Sequence, residues 1–403
     1  MSSLFDAVEM APRDPILGLN EQFAADANPA KVNLGVGVYY DGNGKLPLLR
    51  CVREAEKAMM EAPQARGYLP IDGIPAYDAA TQALVFGDAA ARREGRIATV
   101  QAVGGTGALK VGADLLRRVS PSARVLISDP SWENHLALFE GAGFEVGTYP
   151  YYDPRTKGVD FQAMCSALAA AATGTIVVLH ACCHNPTGCD LSAEQWPRVV
   201  ELLASRRLVP FLDLAYQGFG SGLAEDARAV QLCLDAGLDF FVATSYSKSF
   251  SLYGERAGAL SVVCSSKDAA TRVLSQLKRV IRTNYSNPPT HGAAAITTVL
   301  STAALRSMWE EELAGMRDRI KRMRVELQRR LVAAGAAIDT DFITRQRGMF
   351  SYTGLSKAQM HRLRSEFGVY GLDSGRICVA ALNDRNLDIV VEAIAHVTEK
   401  ASA

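Results

Sequence analysis

The sequence has no excess of either charge. Its 43 Lys and Arg residues are matched by 43 Asp and Glu, so no overall field favours nucleic acid or an anionic membrane surface, and anion recognition has to be local. No run of residues approaches the ~18 consecutive apolar positions of a membrane span. The N-terminal stretch MSSLFDAVEMAPRDPILGL has no basic segment followed by an apolar core and a cleavage site, so no secretory signal is read and a cytoplasmic protein is expected. Cysteine is sparse and dispersed, with eight in the chain and no C-x-x-C pair, which predicts reduced thiols and no disulfide framework. The run CCH at 182–184 invites a metal reading. Neighbouring residues point apart in an extended chain, however, so structural cysteines and no metal are expected there. Internal repeats and low-complexity tracts are also missing.

The 403 residues exceed a usual single domain, and a hydrophobic content of 48% is ordinary for a globular chain, so two domains, or one large domain with a satellite, are expected. Short apolar runs recur between helical or polar segments: ARVLISDP (123–130), TIVVLHACC (175–183), VPFLDLAY (209–216) and FFVATSYS (240–247). Buried strands alternating with helices predict a mostly parallel sheet covered on both faces. AGALSVVC (257–264) follows after a short loop and reads as an antiparallel neighbour. From 309 the pattern changes: Trp309, Leu313, Met316, Ile320, Met323, Leu327 and Leu331 recur at intervals of three and four, one long amphipathic helix. Its basic residues, in RDRIKRMRVELQRR, lie off that stripe beside Asp318 and Glu326 and read as a solvated face. A short strand, GMFSYTG (348–354), and a last strand and helix around RICVAAL (376–382) predict a small C-terminal domain joined by the long helix.

Several residues stand out against this background. The strand before SYSKSFSLYGERAG (245–258) delivers Lys248 and then Arg256 toward the interior. Asp213 sits between Leu212 and Leu214, and a buried carboxylate needs a cation or a strong donor; alone it would read as half of an internal salt bridge. In VGGTGALKVGADLL (103–116) a glycine pair and Thr106 open a helical pattern, an arrangement able to hold an anion on backbone N–H groups. That stretch fits neither dinucleotide nor P-loop fingerprints, and by itself could serve only the turn. HNPTG (184–188) presents Asn185 on a loop stiffened by Pro186. Together these pieces ask for one ligand. It has a phosphate for Gly104, Gly105, Thr106, Ser245 and Arg256, an atom that wants Asp213, an oxygen for Asn185 and Tyr216, and an electrophilic carbon for Lys248. Pyridoxal phosphate has each of these groups.

On these residues the chain resembles the class I aminotransferases of fold type I, in the aspartate and aromatic-amino-acid branch. The resemblance runs nearly end to end, through DPILGL (14–19), KVNLGVGVYY (31–40), GYLPIDG (67–73), DPSWENH (129–135), CCHNPTG (182–188), DLAYQGF (213–219), RTNYSNPP (282–289), RGMFSYTG (347–354) and SGRICVA (374–380). It implies an α/β fold: a mostly parallel seven-stranded sheet with helices on both faces, plus a smaller α/β domain. The implied division is an N-terminal arm at 1–15, a large cofactor domain at 46–308, and a small domain from 16–45 and 309–403. Lys248 would be the Schiff-base lysine and proton carrier, and Asp213 would keep the ring nitrogen protonated, backed by His135. Tyr216 and Asn185 would bond the phenolic oxygen, and Trp132 would stack on the ring. Gly104, Gly105, Thr106, Ser245 and Arg256 would hold the phosphate, with Tyr68 reaching in from the second subunit of a homodimer. Arg376 would grip the substrate α-carboxylate, Gly37 would line the substrate side, and Arg282 would reach across the dimer to a distal carboxylate. From its sequence context alone, Arg282 reads as surface at a basic helix end.

The resemblance divides on substrate. Tyr40, Leu46 and Gly67 stand where more polar residues are usual in the aspartate-specific branch, whereas Thr106 and Asn287 resemble that branch. The stretches RIATVQAVGGTGALKVGADLLRR and FEGAGFEVGTYPYYD are similar to bacterial aromatic-amino-acid aminotransferases. A ping-pong enzyme taking L-tyrosine, L-phenylalanine and L-aspartate with 2-oxoglutarate is therefore expected, the alternative being an aspartate-specific enzyme. A lyase or decarboxylase would share the cofactor set, but the pair Arg282 and Arg376 suits exchange between dicarboxylates. A transcription factor would need a basic DNA-binding domain, for which the chain has no room, and a non-catalytic binding protein would lack Lys248.

Overall fold

The computed structural model describes residues 3–11, 14–65 and 67–399; the parts of the expected arm at positions 1, 2, 12 and 13 lie outside them. Seven strands form the main sheet: β1 (Ile97–Val103), β2 (Arg124–Asp129), β3 (Glu145–Pro150), β4 (Ile176–His180), β5 (Val209–Leu214), β6 (Phe240–Ser245) and β7 (Ala257–Val263). Their spatial order is β1-β7-β6-β5-β4-β2-β3. β7 runs antiparallel to both of its neighbours, and the remaining pairs are parallel.

Five of these strands coincide with the apolar runs read from the sequence. The other two, β1 and β3, carry weaker signals: β1 (IATVQAV) is interrupted by Gln101, and β3 (EVGTYP), at the sheet edge, is only partly buried. Alternation along the strands feeds two cores. Phe211 and Phe241 enter a cluster with the helix α1 (Gly104–Val119) and with Leu277 and Ile281 of helix α3 (Lys267–Asn284). Leu212 and Val242, one residue on, enter the opposite cluster with Trp309 and the long helix α4 (Ala303–Ala333). Between α1 and α3 in the chain lies α2 (Glu133–Gly141). Both sheet faces are thus covered, as expected for a mainly parallel sheet.

α4 begins six residues before the apolar stripe, and every stripe position from Trp309 to Leu331 is buried. The basic face departs from the sequence reading. Lys321 and Arg322 are exposed, but Arg319 and Arg324 are buried. Arg319 donates to the carbonyls of Ala380, Asp41 and Leu382, and Arg324 to those of Ile343, Gly348 and Phe350. A pattern based on charge cannot distinguish an arginine that reaches water from one that ends on carbonyl oxygens, because the guanidinium fork serves both. These two residues fasten α4 to the segments that bear Arg376 and Phe350. The chain at 32–34 also joins this C-terminal part: Val32–Asn33 pairs in parallel with Val369–Tyr370, and Leu34 accepts from the Cys378 amide.

All eight cysteines are free thiols. No helix among the described residues is long and apolar enough to cross a membrane.

Candidate active site

The strands deliver their chemistry at their carboxyl ends, the usual place for a ligand in an open α/β sheet. β1 runs into Gly104–Gly105–Thr106 at the start of α1, β4 into the HNPTG loop, β5 ends at Asp213 and leads to Tyr216, and the turn after β6 carries Lys248. Gly105, Thr106, Asn185, Asp213, Tyr216 and Lys248 surround one cavity of about 180 Å³, together with Gly37, Trp132, Ser245, Arg256 and Arg376. Its lining holds one carboxylate, Asp213, against three cations, Lys248, Arg256 and Arg376.

Asp213 is buried, and its Oδ2 lies 3.0 Å from His135 Nε2, while His135 Nδ1 lies 2.9 Å from Ser131 Oγ. Burial alone would raise the pKa of Asp213. The His135 hydrogen bond, helped by the positive charge of Lys248, outweighs burial and holds it below the usual carboxylate value. Lys248 is brought down to about 8, chiefly by burial, with Arg256 acting in the same direction and Asp213 opposing. Its Nζ lies 4.9 Å from the centre of the Tyr216 ring. With that value about a tenth of this lysine is free amine at pH 7 and about half at pH 8, far more than for a solvated lysine, and the free amine is the nucleophilic form. We expect apoenzyme to capture pyridoxal phosphate with a rate that rises through a midpoint near pH 8, measured by stopped-flow absorbance. A midpoint near the pKa of a solvated lysine, ~10.4, would contradict this environment.

The anion cradle is built without side-chain bulk. Gly104 has φ +68°, and a Cβ there would come 2.5 Å from Arg256 Nη2; a Cβ on Gly105 would meet Ser245 Cβ at 3.0 Å. Only glycine lets the backbone approach this closely and take that φ without strain. No side chain caps the start of α1, which leaves first-turn N–H groups to an anion. Arg256 donates to Ser247 Oγ at 3.2 Å and to the Tyr253 carbonyl at 3.1 Å, and has no salt bridge among the described residues. Arg256 is half-buried, whereas Arg376 is fully buried; the Nη1 of Arg376 donates to Asn185 Oδ1 (3.0 Å) and its Nη2 to the Gly35 carbonyl (2.7 Å). Its Nε has no partner. One buried and one half-buried guanidinium without counter-ions, an uncapped helix and an amine near neutrality match the donor set that a phosphate, a carboxylate and an aldehyde require. Pyridoxal phosphate fits these residues.

Of the remaining expected positions, Trp132 precedes α2 and meets His135 edge-on, with ring centroids 5.3 Å apart. Gly37 is held by Phe350, whose Cζ would lie 2.7 Å from an added Cβ. Tyr68, 95% exposed, and Arg282, exposed at the end of α3 and bonded to Ser286, lie outside this cavity. Sequence reasoning overlooked His180, Ser247 and Phe350, which line the site. His180 pairs in register with Asp213, and burial drives its pKa well below the usual histidine value, so it faces the acid as a neutral ring. The available signal was a histidine inside an apolar strand. Ser247 adjoins Lys248 in the chain, and Phe350 packs under Arg376, whose Cζ lies 4.4 Å from the ring centre.

The family described as "Aminotransferase class I and II" matches residues 29–394. The chain belongs to this family. It is 60% identical to an aspartate aminotransferase of Pseudomonas aeruginosa, over 98% of this chain and 100% of that one. It is 50% identical to an aromatic-amino-acid aminotransferase of Escherichia coli, again over 98% and 100%. A solved aromatic-amino-acid aminotransferase of Burkholderia pseudomallei, covalently bound to pyridoxal phosphate, superposes with a TM-score of 0.97 at 64% identity, covering 99% of this chain and 100% of that one. The aminotransferase thus shares its fold with fold type I enzymes from end to end, and its relatives divide between the two substrate classes that the pocket rim had already set against each other.

Proposed function

We propose that this pyridoxal-phosphate-dependent aminotransferase accepts both aromatic and dicarboxylic amino acids, with 2-oxoglutarate as amino acceptor. When bound, the cofactor supplies an electrophilic aldehyde and an electron-withdrawing ring. The residues around it do the rest. Lys248 would hold the aldehyde and, as a free amine, would move a proton at the substrate α-carbon. Asp213, held by His135, keeps the ring nitrogen protonated. Asn185 and Tyr216 would hold the phenolic oxygen, Trp132 would cover the ring, and the turn Gly104–Gly105–Thr106 with Ser245 and Arg256 would take the phosphate. Arg376 grips the α-carboxylate, and its bond to Asn185 ties substrate grip to cofactor contact.

The observation that carries the double specificity is the composition of the rim. Tyr40 packs against the core and Leu46 is exposed in the GKLP loop; neither lines the cavity of its own chain, and we place both at the rim on the family resemblance, which makes the entrance less polar than a site for dicarboxylates alone calls for. Arg282 still offers a partner for a distal carboxylate. Because Tyr68 and Arg282 lie outside their own chain's cavity, we assign them to the neighbouring site of a homodimer, on which the exposed arm residues Leu4, Phe5 and Val8 would pack. We further assign 46–308 to a large cofactor domain and 16–45 with 309–403 to a small one, supported by the pairing of Val32–Asn33 with Val369–Tyr370. A cytoplasmic enzyme fits the free thiols.

The test is kcat/KM for L-phenylalanine and for L-aspartate with one cofactor-saturated preparation. Comparable values are expected, and aspartate ahead by several orders of magnitude would reduce the reading to an aspartate-specific enzyme. Arg282→Leu should lower kcat/KM for aspartate by about 10²-fold or more, the size of a lost charge-assisted pair, and change phenylalanine turnover little. Equal losses on both substrates would remove Arg282 from distal-carboxylate recognition.

A further inference from the structure

Behind the active site, the turn that follows β4 carries Cys182 and Cys183. The sequence reading has consecutive side chains pointing apart, and the backbone does not follow it: Cys183 has φ +51°, outside the extended range. The break turns its side chain, so Cys182 Sγ, Cys183 Sγ and a carboxylate oxygen of Asp226 all lie within 4.8 Å of one another, all three residues being buried. Tetrahedral coordination by two thiolates and a carboxylate, with metal–sulfur distances near ~2.3 Å and metal–oxygen near ~2.1 Å, needs ligand atoms a little closer than this, a shift within the reach of side-chain rotation.

The surroundings favour a cation. Asp190 accepts from the amides of Cys183 and His184, and Asp226 from those of Gly218, Gly220 and Ser221. Neither carboxylate has a salt bridge among the described residues. Cys182, Asp190 and Asp226 open onto a cavity of about 730 Å³, in whose lining four carboxylates outnumber three arginines. That cavity gives an ion a route in and leaves a fourth coordination position to water.

We propose that Cys182, Cys183 and Asp226 bind a thiophilic divalent cation of the zinc and cadmium class, and that its binding slows transamination. Two sulfur–metal bonds form and the two thiol protons pass to solvent, with no change of oxidation state. The coupling to activity is covalent and short. Cys183 lies two residues before Asn185, its sulfur is 4.0 Å from the Tyr216 carbonyl, and Asp226 pins the loop that follows Tyr216. A metal held by all three ligands would stiffen the segments that carry Asn185 and Tyr216 and hold them in one arrangement.

The test uses holoenzyme freed of metal and kept reduced, titrated with Cd²⁺, reading both the thiolate-to-cadmium charge-transfer absorbance and the rate of turnover. One equivalent per chain, a saturable absorbance and a parallel loss of activity are expected. Cys182→Ser should retain metal-free turnover while losing about half of the absorbance and weakening binding by about tenfold or more, the scale on which disturbing a metal's ligand set is felt. Asp226→Asn, with its fold checked by the cofactor's visible circular dichroism, should weaken binding without changing the absorbance per bound ion. The proposal is overturned if Cd²⁺ gives no thiolate absorbance, or if Cys182→Ser binds and is inhibited like the unaltered enzyme. Metal binding without inhibition would remove the coupling and leave only the site.

Discussion

Lys248→Ala abolishes transamination, lowering kcat/KM by about four orders of magnitude or more, at least the upper end of what one positioned base contributes. Lys248 holds two roles that no neighbour can assume. Among the described residues it supplies the cavity's only lysine amine, and His180, a nitrogen base that also lines the cavity, sits by Asp213. The cradle formed by Gly104, Gly105, Ser245 and Arg256 is untouched by the substitution, so the variant should still bind pyridoxal phosphate, now without the covalent link and removable by dialysis. Near-normal turnover in the variant would refute the proposed chemistry. Loss of cofactor affinity as well as turnover would show instead that the cradle alone does not hold the phosphate.

The sequence made much of this site readable, for a physical reason. Asp213, Lys248 and Arg256 are charges in apolar or tightly turning contexts, and such residues are too costly to bury unless something answers them. They stand out without any partner being visible. Neutral or short-range contributors do not. Ser247 looks like any small residue beside Lys248, Phe350 like any core aromatic, and His180 becomes informative only once strand register sets it beside Asp213. The same limit hid Arg319 and Arg324, whose acceptors are backbone carbonyls from distant segments. It also hid the convergence of Cys182 and Cys183, which depends on one left-handed φ. In the fold, the five strands with predominantly apolar runs were plain. β1 and β3 were not, because Gln101 and the half-exposed edge blur the pattern that burial on both faces normally imposes.

The second large effect is expected at Asp213. Asparagine has nearly the same shape and can still bond His135, but it carries no charge, so it cannot favour a proton on a cofactor nitrogen. Preorganised charge in a buried site is worth about 10²- to 10³-fold per interaction, and we expect Asp213→Asn to lose kcat/KM on that scale for aromatic and dicarboxylic substrates alike. A loss that differs between the two classes would place Asp213 in substrate recognition instead. A second readout separates charge from shape. The folded pKa of Asp213 lies below its unfolded value, so its contribution to stability is present above the unfolded pKa, ~3.9, and is lost as pH falls through the folded one. The melting-temperature gap between apoenzyme and the Asp213→Asn apoenzyme should therefore narrow on acidification below about pH 4. A gap that stays constant through that range would mean that the carboxylate is not held ionised by His135, and the electrostatic account of the site would fail with it.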